Sequence, residues 1–382
     1  MAVGIIAEYN PFHNGHLYHI GEVKKKVKDE PIIIILGGNF LQRGEASTLN
    51  KWDKTLLALF YGADLVVELP FPFATQSADS FAHGAISLLK ALNVDKIAFG
   101  SESDDIEMLQ KLADIQLNHK EYHTLVKTLM KEGSNYPTAQ SKALKKLTGT
   151  EIKLPNDILA LSYLREIKKQ NASITPISIK RTNDFHKLDN SSITSAESIR
   201  NLLKTNISVS KYIPEETEKL LTQVIPKNED YYPFLKYQIY NNWNHLEKFQ
   251  TVDEGMKTRI QNAIKVSNTY DELINHIKTK RYTYNRIQRM LTHILCNFTK
   301  DEANQMKEIE YIRILGFSVL GKEYLNTIKK EVKLPMITTF SKGNSEMLNL
   351  EMRITACYSS IFTEEHQKQL IEDEYKKGPI QK

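Results

Sequence analysis

Two histidines, His13 and His16, form the pattern in the sequence that is best suited to chemistry. They enclose Asn14 and Gly15 in an H-x-G-H segment. Two imidazole groups aimed at one point can donate hydrogen bonds to phosphoryl oxygens as charge grows during attack at phosphorus. Gly15 removes a side chain where a nucleotide would approach the backbone. The segment therefore indicates nucleotidyl transfer, which relies on positioning and charge stabilisation.

The place of this segment in the chain supports that interpretation. The apolar run Val3–Ala7 predicts a strand, and a helical pattern starts near Gly15, so the histidines lie in a strand-to-helix crossover of the kind that binds phosphate. Neither the dinucleotide pattern G-x-G-x-x-G nor the P-loop pattern is present there. Taken alone, the H-x-G-H pattern is more simply explained as two polar residues at the start of a helix.

A second pattern, S-x-x-S-I-R, lies near residue 200. Ser195 can cap the helix predicted to follow it, with Ser198 in its first turn. Arg200 lies about one turn further on, where it can reach a phosphate at that helix N-terminus. A capped helix with a surface arginine is the alternative for these residues taken alone. Because both patterns occur in this order at opposite ends of one predicted domain, we expect both to serve nucleotide binding.

The elements that would position these residues alternate between strand and helix patterns, as in a parallel α/β sheet. Strands are predicted at residues 3–7, 31–36, 64–69, 95–99 and 175–180. Later helices are predicted at residues 216–224, 232–249, 252–277, 284–298 and 308–319, with one strand-like piece at 334–340. We therefore expect a Rossmann-like parallel-sheet domain at residues 1–206 and a mainly α-helical domain at residues 207–382.

Composition and charge limit the class of protein. The chain has 382 residues, of which 41% are hydrophobic and 25% charged, as in ordinary globular proteins with room for two domains. Cys296 and Cys357 are too far apart for a metal-ligand pattern, and no disulfide framework is expected. We find no signal peptide and no membrane-spanning run, so a cytoplasmic location is expected. The net charge of +5 permits a polyanionic partner without requiring one.

The chain resembles a known family over nearly its whole length. The H-x-G-H and S-x-x-S-I-R patterns are similar to those of the HIGH-type nucleotidyltransferases, which include adenylyltransferases and pantothenate synthetases. More narrowly, several segments resemble the tRNA(Met) cytidine acetate ligases: residues 4–16, 38–45, 62–70, 99–102, 156–160, 195–200, 286–289 and 313–317. The segments in the N-terminal half are the more specific ones.

The resemblance implies a reaction in two steps. Members of the family activate acetate with ATP to acetyl-adenylate and release pyrophosphate. They then transfer the acetyl group to N4 of the wobble cytidine of elongator tRNA(Met), which forms N4-acetylcytidine and AMP. The triphosphate would bring Mg²⁺ as its counter-ion, and we expect no metal ligated by the protein. Acetate and the tRNA are the expected partners, whereas DNA and a membrane are not.

Carried over residue by residue, the resemblance also implies an ATP site. Its residues would be Ile6, Ala7, Glu8, Tyr9, Asn10, Pro11, Phe12, His13, Asn14, Gly15, His16, Leu17, Tyr18, His19, Gly100, Asn156, Arg181, Ser195, Ser198 and Arg200. The sequence departs from the family pattern at two places: Gly37 replaces a small hydroxyl residue and Lys54 replaces an arginine. Arginine and lysine bind phosphate differently, which matters if position 54 orients the triphosphate.

The segment after the second predicted strand supplies further catalytic candidates besides the two histidines. Gln42 and Arg43 lie in a loop at the carboxyl end of that strand, and Lys51 follows shortly after. Loops at such strand ends are where α/β folds form their sites, so we expect all three residues near the substrates. A surface loop with a solvated arginine is the alternative. The base that would take the cytidine proton cannot be named from the sequence.

A basic cluster in the C-terminal half could bind RNA. It consists of Lys278, Lys280, Arg281, Arg286 and Arg289, interleaved with Tyr282 and Tyr284 and without an acidic residue between them. The two last arginines fall on one face of a helix. Basic side chains bind RNA phosphates, and tyrosines can stack on bases. A solvated helix face fits the same residues equally well.

Two other functions are compatible with parts of the sequence. A small-molecule adenylyltransferase of cofactor biosynthesis would share the first domain, but it would have no use for the second domain and its basic cluster. A non-catalytic RNA-binding protein could keep the fold without the chemistry. The intact His13 and His16 argue against that possibility.

Overall fold

A sheet of eight strands organises the computed structural model, which describes residues 1–181, 192–221, 224–253 and 255–382. The strands are β1 Val3–Ala7, β2 Ile32–Gly37, β3 Leu65–Leu69, β4 Lys96–Ser101, β5 Thr175–Lys180, β6 Ile312–Phe317, β7 Met336–Ile337 and β8 Ile380–Gln381. The five strands predicted in the N-terminal half are confirmed. Each is a short run rich in β-branched or other apolar residues that ends at a glycine, a proline or a polar turn.

The strand order places the end of β1 at a topological switch point. The order is β5-β4-β1-β2-β3-β6-β7, with β8 beside β6, and β1 to β5 run parallel. From β1 the chain builds outward through β2 and β3, and later through β4 and β5 on the opposite side. Crossover connections therefore diverge above β1, at the carboxyl ends of the strands, which is where open α/β sheets bind their ligands.

Nine helices accompany the first five strands in the described ranges. They are α1 Asn14–Val27, α2 Lys51–Phe60, α3 Phe71–Ala74, α4 Ala78–Ala91, α5 Ile106–Asn118, α6 Lys120–Lys131, α7 Tyr136–Thr148, α8 Pro155–Lys169 and α9 Ala196–Lys204. The nine that follow are α10 Glu215–Leu220, α11 Tyr232–Asn241, α12 Met256–Ile264, α13 Tyr270–Ile277, α14 Tyr284–Leu295, α15 Lys300–Gln305, α16 Val319–Ile328, α17 Glu346–Ser359 and α18 Glu364–Lys376. Residues 222–223, at the end of the predicted helix 216–224, lie outside the described residues. None of these helices is both long and apolar enough to cross a membrane.

The second part of the chain is mainly helical, as predicted, but three of its helix predictions fail in detail. The predicted helix 232–249 is shorter than expected, since α11 ends at Asn241. The predicted helix 252–277 is divided into α12 and α13, because Thr269 caps α13 by accepting a hydrogen bond from the backbone of Glu272 at 3.2 Å. The prediction of a helix at residues 308–319 is wrong, because β6 lies there.

Strand β6 extends the sheet beyond residue 206. It pairs antiparallel with β3, with Val67 opposite Ile314. Its side chains alternate between the two cores, Ile314 packing on one face of the sheet and Leu315 on the other. A sequence run that is apolar on both faces is compatible with either a helix or a strand. Here it forms a strand because it pairs with the free edge of β3.

Both faces of the sheet are covered. In β2, Ile33 and Ile35 pack into one hydrophobic cluster, whereas Ile32, Ile34 and Leu36 pack into the other. All five side chains are buried, which explains why β2 reads as a continuous apolar run rather than an alternating one. The larger cluster continues into the helices of the C-terminal half, so the two halves share packing. The carboxyl ends of the strands are the place where this architecture positions polar side chains.

Candidate active site

The two histidines of the H-x-G-H segment stack face to face at the N-terminus of α1. Their ring centroids are 3.7 Å apart with an interplanar angle of 24°. The Nδ1 atom of His13 accepts a hydrogen bond from the backbone N–H of Gly15 at 3.0 Å, and Nδ1 of His16 accepts one from the backbone N–H of His13 at 3.2 Å. Both rings are thus fixed by the first turn of the helix, in the manner of a capping box.

These hydrogen bonds determine which ring nitrogens carry protons. Burial, reinforced by the charges of Arg181 and Arg200, lowers the pKa of His13 to about 3. Burial and neighbouring positive charge also lower the pKa of His16 well below its ordinary value. Both rings are therefore neutral near pH 7, and since each Nδ1 is an acceptor, each Nε2 carries the proton. The pair presents two Nε2–H donors, as stabilisation of a charged phosphoryl group requires.

Polar atoms without partners surround the histidine pair. Tyr9, Asn10 and His19 each have a buried side-chain atom with no hydrogen-bond partner among the described residues, namely the Tyr9 hydroxyl, Asn10 Nδ2 and His19 Nε2. Buried polar groups are normally satisfied, so a cluster of unsatisfied ones indicates a ligand site. The ring of Tyr9 packs edge to face on His16, with centroids 4.8 Å apart, which ties this residue to the imidazole pair.

Two arginines bring positive charge to the same place from distant parts of the chain. Arg181 follows β5 and extends over Gly100 in β4, where an added Cβ would lie 3.6 Å from Arg181 Cγ. Arg200 of α9 donates from NH1 to the backbone oxygen of Asn10 at 3.0 Å. It also pairs with Glu45 at 2.9 Å. The two arginines that the sequence singled out thus flank the segment with the histidines.

The N-terminus of α9 is built as predicted. Ser195 caps this helix, since its Oγ accepts a hydrogen bond from the backbone N–H of Ser198 at 3.1 Å. The segment before the cap is tied to α1, because Asn14 Nδ2 donates to the backbone oxygen of Ser192 at 2.8 Å and to that of Lys211 at 3.1 Å. The two sequence patterns, almost 200 residues apart, therefore meet in space.

Two carboxylates that sequence reasoning missed, those of Glu102 and Asp157, join the segment of Asn156 to the carboxyl end of β4. Glu102 accepts a hydrogen bond from Asn156 Nδ2 at 2.6 Å and another from the backbone of Asp157 at 2.9 Å. Asp157 in turn accepts from Ser101 Oγ at 2.6 Å. Each carboxylate thus caps the other's segment. Both residues lie in segments that carry the family resemblance, which was the available signal.

The loop after β2 brings Gln42 and Arg43 to the site. The backbone N–H of Gln42 donates to Glu8 Oε1 at 2.6 Å, and its side chain donates to the backbone oxygen of Gln76 at 2.8 Å. Arg43 forms an ion pair with Glu197 of α9 at 3.4 Å and is about one-third exposed. The loop therefore bridges the end of β1 and the start of α9, with the Arg43 guanidinium at its edge.

Lys51 does not lie near the substrates, contrary to the prediction from the sequence. Its side chain is 1% exposed, and Nζ lies 2.5 Å from Glu68 and 2.8 Å from Glu374 of α18. Arg313 of β6 completes the cluster by pairing with both carboxylates. The expectation that Lys51 contacts substrates is corrected, because its ammonium group is enclosed by carboxylates that join α18 to the sheet.

Lys54, which departs from the family pattern, also faces inward. Its Nζ donates to the backbone oxygens of Glu8 at 3.1 Å, Gly37 at 2.7 Å and Gly38 at 2.7 Å. Burial lowers the pKa of Lys54 to about 7. A compact ammonium group suits three converging carbonyls, so this lysine joins the ends of β1 and β2. Three main-chain partners, and not a triphosphate, take up its hydrogen bonds.

The predicted basic cluster is divided by the structure. Lys278, Lys280 and Arg281 are exposed. Arg286 packs on the ring of Tyr282 and pairs with Asp253, an acidic residue that lies outside the sequence segment. Arg289 faces the protein interior, where desolvation lowers its pKa to about 10. The accessible basic surface is therefore formed by the three residues before α14 rather than by all five.

Helix α14 instead joins the C-terminal half to the loop that carries Gln42 and Arg43. Gln288 Nε2 donates to the backbone oxygen of Arg43 at 3.0 Å, and Thr292 Oγ1 donates to that of Gly44 at 2.7 Å. Arg289 NH1 lies 3.5 Å from the backbone oxygen of Gln42. The conformation of the loop thus depends on a helix more than 200 positions away in sequence.

Known proteins resemble this chain along its whole length. The HIGH Nucleotidyl Transferase family model matches residues 1–373. The tRNA(Met) cytidine acetate ligase of Geobacillus sp. strain WCH70 is 40% identical over 397 residues, covering 99% of each chain. The corresponding protein of Halalkalibacterium halodurans is 38% identical, covering 99% of this chain and 97% of its own.

Solved structures show the same similarity. The crystal structure of Thermotoga maritima TmcAL bound with alpha-thio ATP is 31% identical and gives a TM-score of 0.89, covering 100% of this chain and 99% of that one. The apo form gives a TM-score of 0.91 at the same identity and coverage. The family model and the full-length relatives together show that the chain belongs to the HIGH nucleotidyl transferase family and, within it, to the tRNA(Met) cytidine acetate ligases.

Proposed function

We propose that this protein activates acetate with ATP to acetyl-adenylate and transfers the acetyl group to N4 of the wobble cytidine of elongator tRNA(Met), forming N4-acetylcytidine. The observation that carries the proposal is the stacked pair of His13 and His16, whose centroids are 3.7 Å apart at the N-terminus of α1. This pair lies where β1 ends at the switch point of the sheet. The names of the full-length relatives support the choice of acetate and tRNA(Met).

In the first step, an acetate oxygen attacks the α-phosphorus of ATP. A P–O bond forms, and the bond to pyrophosphate breaks. The Nε2–H groups of His13 and His16 donate to the oxygens on which charge grows, while the N-terminus of α1 adds the positive end of its helix dipole. Arg181 and Arg200 supply the positive charge that the neutral imidazoles lack. The charges of both arginines lower the pKa of His13, which indicates that all four groups belong to one cluster.

The residues present fit a bound nucleotide. The unsatisfied Tyr9 hydroxyl, Asn10 Nδ2 and His19 Nε2 offer polar atoms that a ligand can satisfy. The alpha-thio ATP found with the Thermotoga maritima protein supports this assignment. The described residues contain no group of three or more His, Cys, Asp or Glu that could hold a metal ion. Mg²⁺ would accompany the triphosphate as its counter-ion and would offset part of its negative charge.

In the second step, the tRNA brings its wobble base to the acetyl-adenylate. That base is in a single-stranded loop, so it can enter a pocket at little unstacking cost. We propose residues 1–206 as the catalytic part and residues 207–382 as the tRNA-binding part. The exposed Lys278, Lys280 and Arg281 are the residues we assign to RNA phosphates. With ATP, acetate and a tRNA as substrates, we place the reaction in the cytoplasm.

One experiment separates this function from the alternatives. The purified protein is incubated with ATP and radiolabelled acetate, with and without elongator tRNA(Met). We expect tRNA-dependent transfer of the label to the RNA, with release of AMP and pyrophosphate. ATP turnover that needs a different acceptor would instead identify a small-molecule adenylyltransferase. The absence of acetate-dependent turnover would identify a non-catalytic RNA-binding protein.

A further inference from the structure

The acidic residue that directly follows β1, Glu8, has one oxygen fixed and the other free. Its Oε1 accepts the backbone N–H of Gln42 at 2.6 Å. Its Oε2 accepts no hydrogen bond from the described residues. Because it follows β1 at the switch point, the carboxylate lies at the same edge of the sheet as the histidine pair. It is held in position yet keeps an acceptor available.

The surroundings make this carboxylate a better base than an ordinary one. Burial raises the pKa of Glu8, and this effect outweighs the lowering by the Gln42 hydrogen bond and the charges of Lys54 and Arg43; the charge of Glu45 adds to the increase. Lys54, the cation with the larger effect on Glu8, has its hydrogen bonds directed to three backbone oxygens.

From α8, Tyr163 also faces this carboxylate, and it is neutral because burial raises its pKa far above its ordinary value. Among the described residues, no hydrogen bond or ion pair joins the second oxygen of Glu8 to a cation.

The histidines cannot take a proton in the second step. In His13 and His16, Nδ1 is occupied by a backbone N–H and Nε2 already carries the proton. Their depressed pKa values also make them weak bases. The acetyl-transfer step needs a proton acceptor next to the cytidine amine, and a carboxylate is the side chain that accepts a hydrogen bond from cytosine N4. Glu8 is the carboxylate at the end of β1 with a free oxygen.

We infer that Glu8 is the general base of acetyl transfer, an assignment that rests on the proposed function. The N4 lone pair of cytidine forms a bond to the acetyl carbonyl carbon. The bond between that carbon and the adenylate oxygen breaks, and AMP leaves with its electron pair. The proton lost from N4 passes to Glu8 Oε2, while the Gln42 N–H holds Oε1 in place.

The test uses Glu8→Gln and measures the two steps separately. Glutamine keeps an oxygen for the Gln42 N–H but cannot accept the proton. Acetate-dependent exchange of pyrophosphate into ATP reports the first step. Single-turnover acetylation of tRNA(Met) from preformed enzyme-bound acetyl-adenylate reports the second. We expect the second rate to fall at least about 100-fold and the exchange rate to fall by a much smaller factor.

The pH dependence shows whether Glu8 acts as a base or only supports the loop. In the wild type, single-turnover acetylation should rise with pH as Glu8 ionises, and Glu8→Gln should lose this rise. Glu8→Asp keeps a carboxylate and should retain the rise at a lower rate, which also decides the matter if Glu8→Gln does not fold. A wild-type profile in Glu8→Gln, equal losses in both steps, or a pH-independent Glu8→Asp would overturn the assignment.

The measurement on the wild type distinguishes a failure of the Glu8 assignment from a failure of the proposed function. If the wild type does not acetylate tRNA(Met), the proposed function itself fails. If the wild type acetylates and Glu8→Gln acetylates equally well, the function stands and the role of Glu8 fails.

Discussion

Gly44 lies directly against the backbone of Arg289. A Cβ atom at position 44 would approach the Arg289 backbone nitrogen to 2.6 Å, and Gly44 has a φ of +83°. This glycine thus permits α14 to pack against the loop that carries Gln42 and Arg43. The close approach makes the conformation of this loop depend on the C-terminal half of the chain.

Gly44→Ala should therefore destabilise the protein through both backbone strain and overlap with α14. Gly149→Ala is a matched control, since Gly149 has a φ of +77° but nothing within 4 Å of its added Cβ. The strain common to both is about 1–3 kcal/mol, and overpacking should add about 1–3 kcal/mol at position 44 alone. Urea unfolding measures the difference. Equal losses of stability in the two variants would contradict close packing of α14 on the loop.

Replacement of Lys51 should cost stability. In Lys51→Met, Glu68 and Glu374 lose a cation in a site that is almost completely buried. Breaking a buried ion pair by removing one partner typically costs about 3–5 kcal/mol. Thermal unfolding checks this, with Lys25→Met as control, because the pair between Lys25 and Glu22 is on the surface. An unchanged stability of Lys51→Met would show that the carboxylate cluster does not need its lysine.

Acid should destabilise the protein partly through its buried histidines. The pKa of His13 is about 3 in the folded protein and near 6.5 when unfolded, so the unfolded chain binds more protons between these values. Stability therefore falls as pH decreases below about 6.5, by about 2 kcal/mol at pH 5 for this residue. His13→Gln should reduce the dependence of unfolding free energy on pH, whereas His123→Gln, on an exposed position of α6, should not. An identical pH dependence in His13→Gln and wild type would contradict a neutral, buried His13.

Charge reversal of the exposed basic residues should weaken tRNA binding. We expect Lys278→Glu/Lys280→Glu to raise the Kd and to make its salt dependence shallower by about one unit of slope for each phosphate that is no longer neutralised. Lys142→Glu/Lys146→Glu changes the same charge on exposed positions of α7 and should leave the Kd unchanged. Filter binding at several salt concentrations distinguishes them. Equal affinities of both double variants would remove Lys278 and Lys280 from the tRNA interface.

Local features of the site are predictable from the sequence, and distant partners are not. His13 and His16 are neighbours within one helical turn, and Ser195 caps the helix that starts beside it, so spacing alone places them. The prediction for Lys51 is wrong because Glu374, which encloses it, lies 323 positions further along the chain.

The same limit explains two further wrong predictions. The inward orientation of Arg289 depends on its packing against the loop around Gly44, 245 positions earlier. The strand character of β6 depends on the free edge of β3. Sequence periodicity describes one segment at a time, so it carries no information about packing between segments that are distant in the chain.

Acetate-dependent exchange of pyrophosphate into ATP, compared between wild type and His16→Ala, tests the central assignment most directly. It reports the first step alone and needs no tRNA. We predict that the wild type exchanges only when acetate is present and that His16→Ala loses at least about 100-fold of that rate while it remains folded and keeps its tRNA affinity. Exchange by His16→Ala at the wild-type rate would contradict the role of the stacked histidine pair in the reaction.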